Sequence, residues 1–440
     1  MIRQMIRQAI LNPIRQVRPR FLTTLATFVI PAAVAIPAKA FAQMELHGHH
    51  GESHGDFGTP TSQGFSFHLR QVAGFNHQSG PRGAQAAAGE NYQMMVYRGS
   101  WGPLKLEPHL MTSLEPWLLP KEGSPQLFQT GETYNGKPIV DRQHPHDLWM
   151  EITEKLIFEL APGSNVYIVG GPVGQPALGP EAFMHRESAQ HLPWAPLGHH
   201  YQDSTHVSMG VMTAGVKFDI VEVAMSQFNC REPDENRIKL DRGKLDSWSS
   251  QVKLFLWDGL HGQASTAILK NPESLEPGDQ RRNTASIHWS TGKNATPDAF
   301  RHATSLIYGT TQRVADETDA ETALTTDTSG SDSTKPRESW LLESDLSWGW
   351  GLWFMTRFES LDKHGLNLKA DVGKSDGDIR RVVKALTLGA FQDITALSND
   401  TVKTGIGLDY TTHFIDAATR ADYGSNPYGT HAFLMVNAAW

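Results

Sequence analysis

The sequence predicts an all-β protein, a transmembrane antiparallel up-and-down β-barrel of about sixteen strands, with a range of 14–18. Three observations predict it. Apolar residues recur at every second position along many segments, the intervening positions carry polar or charged residues, and short connections alternate with long ones. Successive side chains of a strand point to opposite faces, so period-two alternation indicates strands. One polar and one apolar face then predict a polar lumen and a lipid-facing exterior.

The last forty residues show this pattern clearly. One face of a predicted strand carries Val402, Thr404, Ile406, Leu408 and Tyr410. The opposite face carries Lys403 and Asp409 together with glycines. After one loop the alternation resumes at Ala432 and ends at Trp440. A terminal strand that ends on an aromatic residue resembles the closing strand of bacterial outer-membrane β-barrels of the porin-like class.

The same alternation can be followed through the preceding sequence. The predicted strands are approximately 64–76, 91–100, 103–114, 147–160, 164–171, 205–217, 219–229, 246–257, 260–270, 283–290, 301–312, 338–349, 350–361, 382–395, 401–412 and 429–440. Connections between them are alternately tight and long, apart from a ten-residue turn at 291–300. Outer-membrane barrels show this asymmetry, with short periplasmic turns and long extracellular loops.

Tryptophans are concentrated at one end of the predicted strands. Six of them adjoin the short turns: Trp101, Trp257, Trp289, Trp348, Trp350 and Trp440. An aromatic girdle belongs at such a membrane interface. A soluble β-sandwich or propeller would explain the strands but not this sorting of turns and tryptophans. Sixteen strands predict a water-filled lumen, whereas eight would be filled by side chains.

The amino-terminal segment predicts export. Residues 1–42 have the pattern of a signal peptide: five arginines without an acidic residue, an apolar run at 21–38 and small residues around Ala42. A permanent membrane anchor is the alternative, and Pro31 and Pro37 disfavour it. Residues 43–63 are predicted to form a flexible, His-rich periplasmic tail, and residues 64–440 the barrel. The predicted location is the outer membrane of a Gram-negative bacterium.

Composition excludes one class of partner. Removing the six basic residues of the predicted signal peptide leaves 33 Lys and Arg against 47 Asp and Glu, a net charge near −14. Nucleic-acid binding requires clustered basic residues, so no nucleic-acid partner is expected. Cys230 is the single cysteine of the chain, so an internal disulfide is impossible.

Charged residues on the polar strand faces predict the lining of the lumen. The predicted pore-lining residues are Lys105, Glu107, Lys253, Glu343, Asp345, Arg357, Glu359, Lys403 and Asp409. Charges of both signs across a lumen orient polar solutes, and rings of charge set ion preference. The excess of acid favours cations, although the loops contribute much of it.

Histidines form two groups that predict metal binding. The tail carries His47, His49, His50 and His54, a short His-rich tract suited to copper or zinc. The second group lies in the predicted loops 115–146 and 172–204 and at the starts of the predicted strands 147–160 and 205–217. It comprises His144, His146, Asp147, His185, His199, His200, Asp203 and His206. These segments should meet at one rim of the barrel, where imidazoles and carboxylates suit Zn or Cu.

Two other interpretations compete with a metal site at that rim. A hydrogen-bonded structural or pore-lining network needs the same residue types, because His, Asp, Arg and Gln satisfy each other's donors and acceptors. The alternative of an outer-membrane hydrolase would use Ser204 and His206, which share one face of the predicted strand. The sequence lacks the nucleophile elbow Gly-x-Ser-x-Gly, which weakens that alternative.

The function predicted from these observations is an outer-membrane channel, not an enzyme. It would pass small polar solutes or ions through a lumen that the second and third long loops constrict. Divalent-metal binding or handling is the first alternative, and rim hydrolysis is the second. The expected partners are outer-membrane lipid and the solutes themselves. Trimers are common among sixteen-stranded porins, so the resemblance also implies a possible homo-oligomer.

Overall fold

The computed structural model describes residues 63–274, 278–291, 300–314, 335–374, 379–398 and 401–440. The predicted signal peptide and nearly all of the predicted tail, including His47, His49, His50 and His54, lie outside the described residues. Among the helices of the described segments, none is long and apolar enough to cross a membrane.

Nineteen strands account for most of the described chain. Sixteen form the barrel wall, a short one (β2) lies beside the first, and two (β5 and β6) form a separate hairpin within a loop. They are β1 (Gly64–Gln78), β2 (Gln85–Ala88), β3 (Asn91–Trp101), β4 (Leu104–Thr112), β5 (Ser124–Tyr134), β6 (Lys137–Gln143), β7 (Trp149–Ala161), β8 (Ser164–Val173), β9 (Val211–Phe218), β10 (Val221–Phe228), β11 (Ser247–Trp257), β12 (Leu260–Leu269), β13 (Gln280–Ser290), β14 (Arg301–Arg313), β15 (Arg337–Ser347), β16 (Leu352–Lys363), β17 (Arg381–Asp393), β18 (Val402–Phe414) and β19 (Tyr428–Ala439).

Helices are few and short in the described segments. Three are α-helical: α1 (Glu115–Leu118), α2 (His199–Gln202) and α3 (Ala417–Tyr423). Four single turns of 3₁₀-helix occur at Glu187–Ala189, Ser204–His206, Lys369–Asp371 and Thr395–Leu397.

The wall closes on itself. Each wall strand pairs antiparallel with the next wall strand along the chain, and β1 completes the ring by pairing with β19. In that closing pair Phe75 lies opposite Ala432 and Leu69 opposite Ala438. The predicted antiparallel up-and-down barrel is therefore confirmed, with sixteen strands in its wall. A closed sheet has no edge, which a lipid environment demands.

Side chains alternate between the two faces of the wall as predicted. On β15, Leu342 is 46% exposed whereas its neighbour Glu343 is 0% exposed. The outer face carries a belt of exposed apolar side chains, among them Ile168, Met225, Leu254, Ile287, Leu306, Phe354, Leu388 and Ile406. The tryptophans beside the short turns are exposed as well: Trp101, Trp257, Trp289, Trp348, Trp350 and Trp440. An apolar band with aromatic residues at its border is the lipid-facing surface of an outer-membrane barrel.

Short and long connections alternate around the ring, except that the connection at 291–300 is as long as the loop before it. Four of the long loops border the site: L2 (113–148), L3 (174–210), L4 (229–246) and L5 (270–279). One predicted boundary is wrong. The strand predicted at 205–217 begins only at Val211, because Ser204–His206 forms a 3₁₀ turn in which the His206 N–H donates to the Asp203 carbonyl at 3.2 Å.

L3 folds into the barrel and packs against its inner wall at four places. Phe183 lies in a cluster with Met111, and Leu192 and Trp194 lie in another with Phe433. Leu197 and Tyr201 pack in a third cluster with Val383 and Leu361, and Leu178 in a fourth with Leu269. A fully buried Leu or Phe side chain contributes about 1.5–3 kcal/mol. L3 therefore occupies part of the lumen with apolar side chains.

Candidate functional site

A buried ionic network holds L3 to the far side of the wall. Arg186 of L3 is fully buried; its Nε donates to Glu343 Oε1 at 2.7 Å and its Nη1 to Asp203 Oδ2 at 2.8 Å. Arg357 Nε donates to the other oxygen of Glu343 at 2.9 Å. Two guanidinium groups and two carboxylates thus compensate each other where water is excluded, which buried charges require.

Further polar contacts fasten the rest of L3. The Trp194 indole donates to Asp409 Oδ2 at 2.7 Å, and His191 Nδ1 lies 2.6 Å from Asp345 Oδ2. The Gly198 N–H donates to Glu359 Oε2 at 3.1 Å. L3 therefore contacts inward-facing side chains on β15, β16 and β18.

The structure places the nine predicted pore-lining residues in two groups. Five of them contact L3 or the network that anchors it: Glu343, Asp345, Arg357, Glu359 and Asp409. The other four are arranged differently. Lys105 pairs with Glu159 at 2.9 Å, Glu107 is 1% exposed, and Lys253 and Lys403 are partly buried. Sequence patterning alone could assign the inward face but not the loop that covers it.

A deep cavity of about 130 Å³ remains between L3 and the wall. It is lined by residues at the start of L3 and by β4 and β7–β13, including Glu151, Lys155, Glu222 and Lys253. Charges of both signs face this space. A cavity of this size accommodates several water molecules, since one needs about 10–15 Å³ on this measure.

A second cavity of about 60 Å³ lies among L2, L3, L4 and L5. Five histidine rings border it and form a closed circuit, which we call the histidine cluster: His144, His146, His199, His200 and His206. Successive ring centroids around the circuit are 6.3, 5.5, 5.3, 5.5 and 6.0 Å apart. The structure thus brings together five of the six histidines that the sequence placed at this rim.

Hydrogen bonds fix the orientation of several rings of the histidine cluster. His206 Nδ1 donates to the Asp203 carbonyl at 2.9 Å, since a carbonyl can only accept. His199 Nδ1 lies 2.6 Å from Asp203 Oδ1, and His146 Nδ1 lies 2.9 Å from Glu115 Oε2. Such contacts on one ring nitrogen orient the other nitrogen, as they do in metal sites.

Three of the second nitrogens are buried and lack a hydrogen-bond partner within the described structure: Nε2 of His146, His200 and His206. His146 and His206 are themselves more than nine-tenths buried. A buried polar atom without a partner carries a free-energy penalty of about 1–3 kcal/mol. These three atoms are therefore the sites where an additional ligand would bring the greatest gain.

Burial and neighbouring charges shift the pKa values of the rings of the histidine cluster in different directions. Burial, followed by the nearby positive groups, holds the pKa of His144, His200 and His206 well below the ordinary value. Burial would also lower the pKa of His146, but the Glu115 carboxylate outweighs it and raises this pKa. At neutral pH three rings of the cluster are therefore neutral, which is the form that binds metal ions.

Asp147 of the predicted set lies at the border of the cluster. Arg237 of L4 pairs with Asp147 at 3.1 Å and with Glu132 of L2, whose carboxylate also lies 3.1 Å from His144 Nε2. Burial raises the pKa of Asp147 to about 7, against the opposing effect of Arg237. This ionic contact joins L2 to L4 beside the cavity.

Sequence reasoning missed two carboxylates of the same cavity. Glu232 of L4 and Glu273 of L5 lie with His200 so that one ligand atom from each falls within 4.8 Å of the others. Burial, and then the adjacent Glu273, raise the pKa of Glu232 to about 10. Glu232 belongs to a run of charged residues at 231–237, and Glu273 stands outside any motif. Their proximity follows only from the folding of L4 and L5.

Two predicted residues are used differently. His185 packs against Tyr92, with ring centroids 4.8 Å apart, rather than joining the circuit of rings.

Ser204 Oγ accepts a hydrogen bond from Arg282 at 2.9 Å, while His206 Nδ1 donates to the Asp203 carbonyl. The predicted shared strand face of Ser204 and His206 is wrong, because both lie in the 3₁₀ turn. These contacts do not form the nucleophile–base pair that a serine hydrolase needs.

Comparison with solved structures places the fold among bacterial porins. The chain is similar to OmpF of Salmonella typhi, solved in complex with daunomycin, with 12% identity and a TM-score of 0.50 over 86% of this chain and 98% of that one. It is also similar to an anion-selective porin from Comamonas acidovorans, with 11% identity and a TM-score of 0.49 over 86% and 100% of the two chains. No protein-family model matches the sequence, and no curated protein matches it. At 12% identity the OmpF likeness concerns the fold alone, which is that of a porin-like protein of the Gram-negative outer membrane.

Proposed function

We propose that this protein is an outer-membrane channel for small polar solutes or ions, narrowed by L2 and L3. The observation that carries the proposal is L3 itself, which crosses the lumen of a closed sixteen-stranded barrel and leaves polar cavities beside it. Barrels of this strand number enclose an aqueous channel when no loop fills them. Two cavities, of about 130 and 60 Å³, lie beside L3 and would form parts of the pathway.

The chemistry of the deep cavity supports this function. Two lysines and two glutamates line it, with Lys253 of β11 beside Glu222 of β10, and Lys155 and Glu151 on β7. Opposed charges in a confined lumen replace part of the hydration shell of a polar solute and set the preference between anions and cations. The proposal therefore makes the barrel a transporter rather than an enzyme, and membrane lipid its surrounding partner. A homo-oligomer stays a prediction.

Conductance in a planar lipid bilayer tests the channel. The purified protein should give discrete open steps, and Lys253→Glu should shift the reversal potential in a salt gradient towards cation preference. Lys369→Glu is the matched control, because Lys369 lies in an external loop with its side chain 82% exposed. Folded protein that never conducts would refute the channel. An unchanged reversal potential in Lys253→Glu would exclude the deep cavity from the pathway.

Divalent-metal binding is the second candidate function. The observation that favours it is the histidine cluster, in which His200 and His206, both with lowered pKa values, have unpartnered Nε2 atoms around one cavity. Neutral imidazoles suit Zn²⁺ and Cu²⁺. Asp203 and Asp147, which the sequence placed in the same set, hold His199 and Arg237 and so support the site from outside.

Metal retained through purification tests this second function. The wild-type protein should carry zinc or copper after washing, and the variant His200→Ala should carry less. His302→Ala is the control, because that ring packs against Trp289 at the opposite end of the wall strands. Equal metal content in all three proteins would refute a role for the histidine cluster.

A further inference from the structure

In the second cavity, of about 60 Å³, one group of possible metal ligands combines a histidine with two carboxylates. His200 of L3, Glu232 of L4 and Glu273 of L5 each present a ligand atom, and these atoms lie within 4.8 Å of one another. We propose that these three side chains form a binding site for a divalent transition-metal cation at the outer mouth of the barrel. This site would perform the second candidate function, divalent-metal binding, on which the inference rests. Cation binding there does not depend on whether the barrel conducts.

The ligand types fit such a cation. One imidazole nitrogen and two carboxylate oxygens are ligands of Zn²⁺ and its neighbours, and three protein ligands leave a coordination position for water. His200 Nε2 is buried and has no hydrogen-bond partner among the described residues. The lone pair of that nitrogen is therefore available to a cation in the cavity.

Neighbouring backbone groups orient one of the carboxylates. The Glu132 N–H of L2 donates to Glu232 Oε1 at 2.8 Å, and the Ser274 N–H of L5 donates to Glu232 Oε2 at 3.2 Å. Ligating carboxylates in metal sites are supported by outer hydrogen bonds of this kind. Glu232 is thus positioned by L2 and L5 before any cation arrives.

The close approach of L2 also fixes His200. Gly131 has φ +131°, and a Cβ at that position would lie 2.2 Å from His200 Cε1 and Nε2. No residue with a side chain can occupy this position without displacing the ring. The backbone of L2 therefore forms one wall of the proposed site.

The charges around the cavity match a divalent cation. Four carboxylates line it: Glu132, Asp147, Glu232 and Glu273. Of the lining arginines, Arg231 pairs with Asp246 at 2.7 Å, which leaves Arg237 and Arg282 to face the carboxylates. The neighbouring carboxylates of Glu232 and Glu273 repel each other when both are ionised, and a divalent cation bound between them removes that repulsion.

Zinc binding to the full-length protein in detergent tests the site. Isothermal titration with Zn²⁺ in a chelator-free buffer should give one equivalent per chain once the tail histidines His47, His49, His50 and His54 are changed to alanine. The double variant Glu232→Gln/Glu273→Gln should lose at least about 100-fold in affinity, more than the 10–100-fold typical of outer-shell changes. Asp234→Asn is the matched control in L4: it removes one carboxylate whose side chain is 55% exposed, and affinity should not change.

Two further comparisons separate this site from the histidine cluster. If His200, Glu232 and Glu273 form the site, His146→Ala/His206→Ala should leave Zn²⁺ affinity within a few-fold of wild type. Loss of binding in that variant, with full affinity in Glu232→Gln/Glu273→Gln, would overturn the proposed site in favour of the histidine cluster. A wild-type protein that binds no zinc would overturn both. The single variant Glu273→Gln, at a partly exposed position, serves if the double variant fails to fold.

Discussion

Arg186 offers the sharpest test of how L3 is held in the lumen. Its guanidinium donates to Glu343, to Asp203 and to the Glu181 carbonyl, the last at 2.9 Å. Both carboxylates are fully buried. Arg186→Met keeps much of the side-chain volume but removes the charge, so two buried anions each lose a partner.

The cost can be worked out from these contacts. Removing one partner of a buried ion pair costs about 3–5 kcal/mol. The lower end applies here, because Glu343 keeps Arg357 at 2.9 Å and Asp203 keeps His199 at 2.6 Å. Since 1.4 kcal/mol corresponds to a factor of ten, about 3 kcal/mol raises the ratio of undocked to docked L3 by about 100-fold. L3 that is docked in nearly every wild-type molecule would then be undocked, with the lumen open, in a measurable fraction of the variant molecules.

Single-channel recording measures this ratio as open probability and step size. Arg186→Met should show larger and more frequent open steps than the wild type. Arg231→Met is the control: the Arg231–Asp246 pair has side chains 35% and 33% exposed, and exposed pairs contribute only about 0–1 kcal/mol. Identical recordings from the wild type and both folded variants would refute the idea that this network keeps the lumen narrow.

Three other predictions follow from single positions. Burial, and then the Glu115 carboxylate, raise the pKa of Glu90 to about 8. A carboxyl whose folded pKa exceeds its unfolded value destabilises the fold as pH rises between those values, so Glu90→Gln should gain in urea stability over the wild type from about pH 4.5 to 8. An equal pH profile for both proteins would contradict this. Gly131→Ala should displace His200 and weaken zinc binding by at least about 10-fold, measured by titration; unchanged affinity would remove His200 from the ligand set. Leu388→Arg on the lipid face should cost about 2–4 kcal/mol of folding free energy in bilayers; full refolding yield would place that side chain elsewhere.

The wall of the barrel could be predicted from the sequence because lipid imposes one rule on each of its strands. Ile406 and Leu408 are apolar because they face hydrocarbon. Asp409, the next residue after Leu408, faces inward. The alternation fixes each register, since a slip by one residue would bring Asp409 to the lipid. Turn lengths then gave strand number and orientation.

The arrangement of L3 could not be predicted in this way. Its buried side chains, such as Phe183, Leu192 and Trp194, follow no period of two or 3.6, because the segment packs as irregular chain against a curved wall. The apolar content of this loop was nevertheless a usable indication. Leu197 and Tyr201, for example, lie in a buried cluster with residues of the wall.

The candidate site was predictable in part, because some of its residues lie close together along the chain or in loops joined by one hairpin. His144 and His146 lie close to each other along the chain, and the hairpin of β7 and β8 brings their loop beside the one that carries His199 and His206. Glu232 and Glu273 come from two later hairpins, and no local pattern relates them. Only the folding of L4 over L5, where the Glu232 N–H donates to the Pro272 carbonyl at 2.9 Å, makes them neighbours.

L3 also has a mechanical consequence for the barrel. It leaves the wall between β8 and β9 and is fastened to β15, β16 and β18, which lie nearly opposite in the ring of sixteen strands. A cylinder built only from a hydrogen-bonded wall can flatten into an ellipse under lateral pressure, since bending a sheet costs little. A tie across the diameter resists that deformation. L3 therefore acts as a cross-strut that helps the barrel keep the cross-section defined by its sixteen strands.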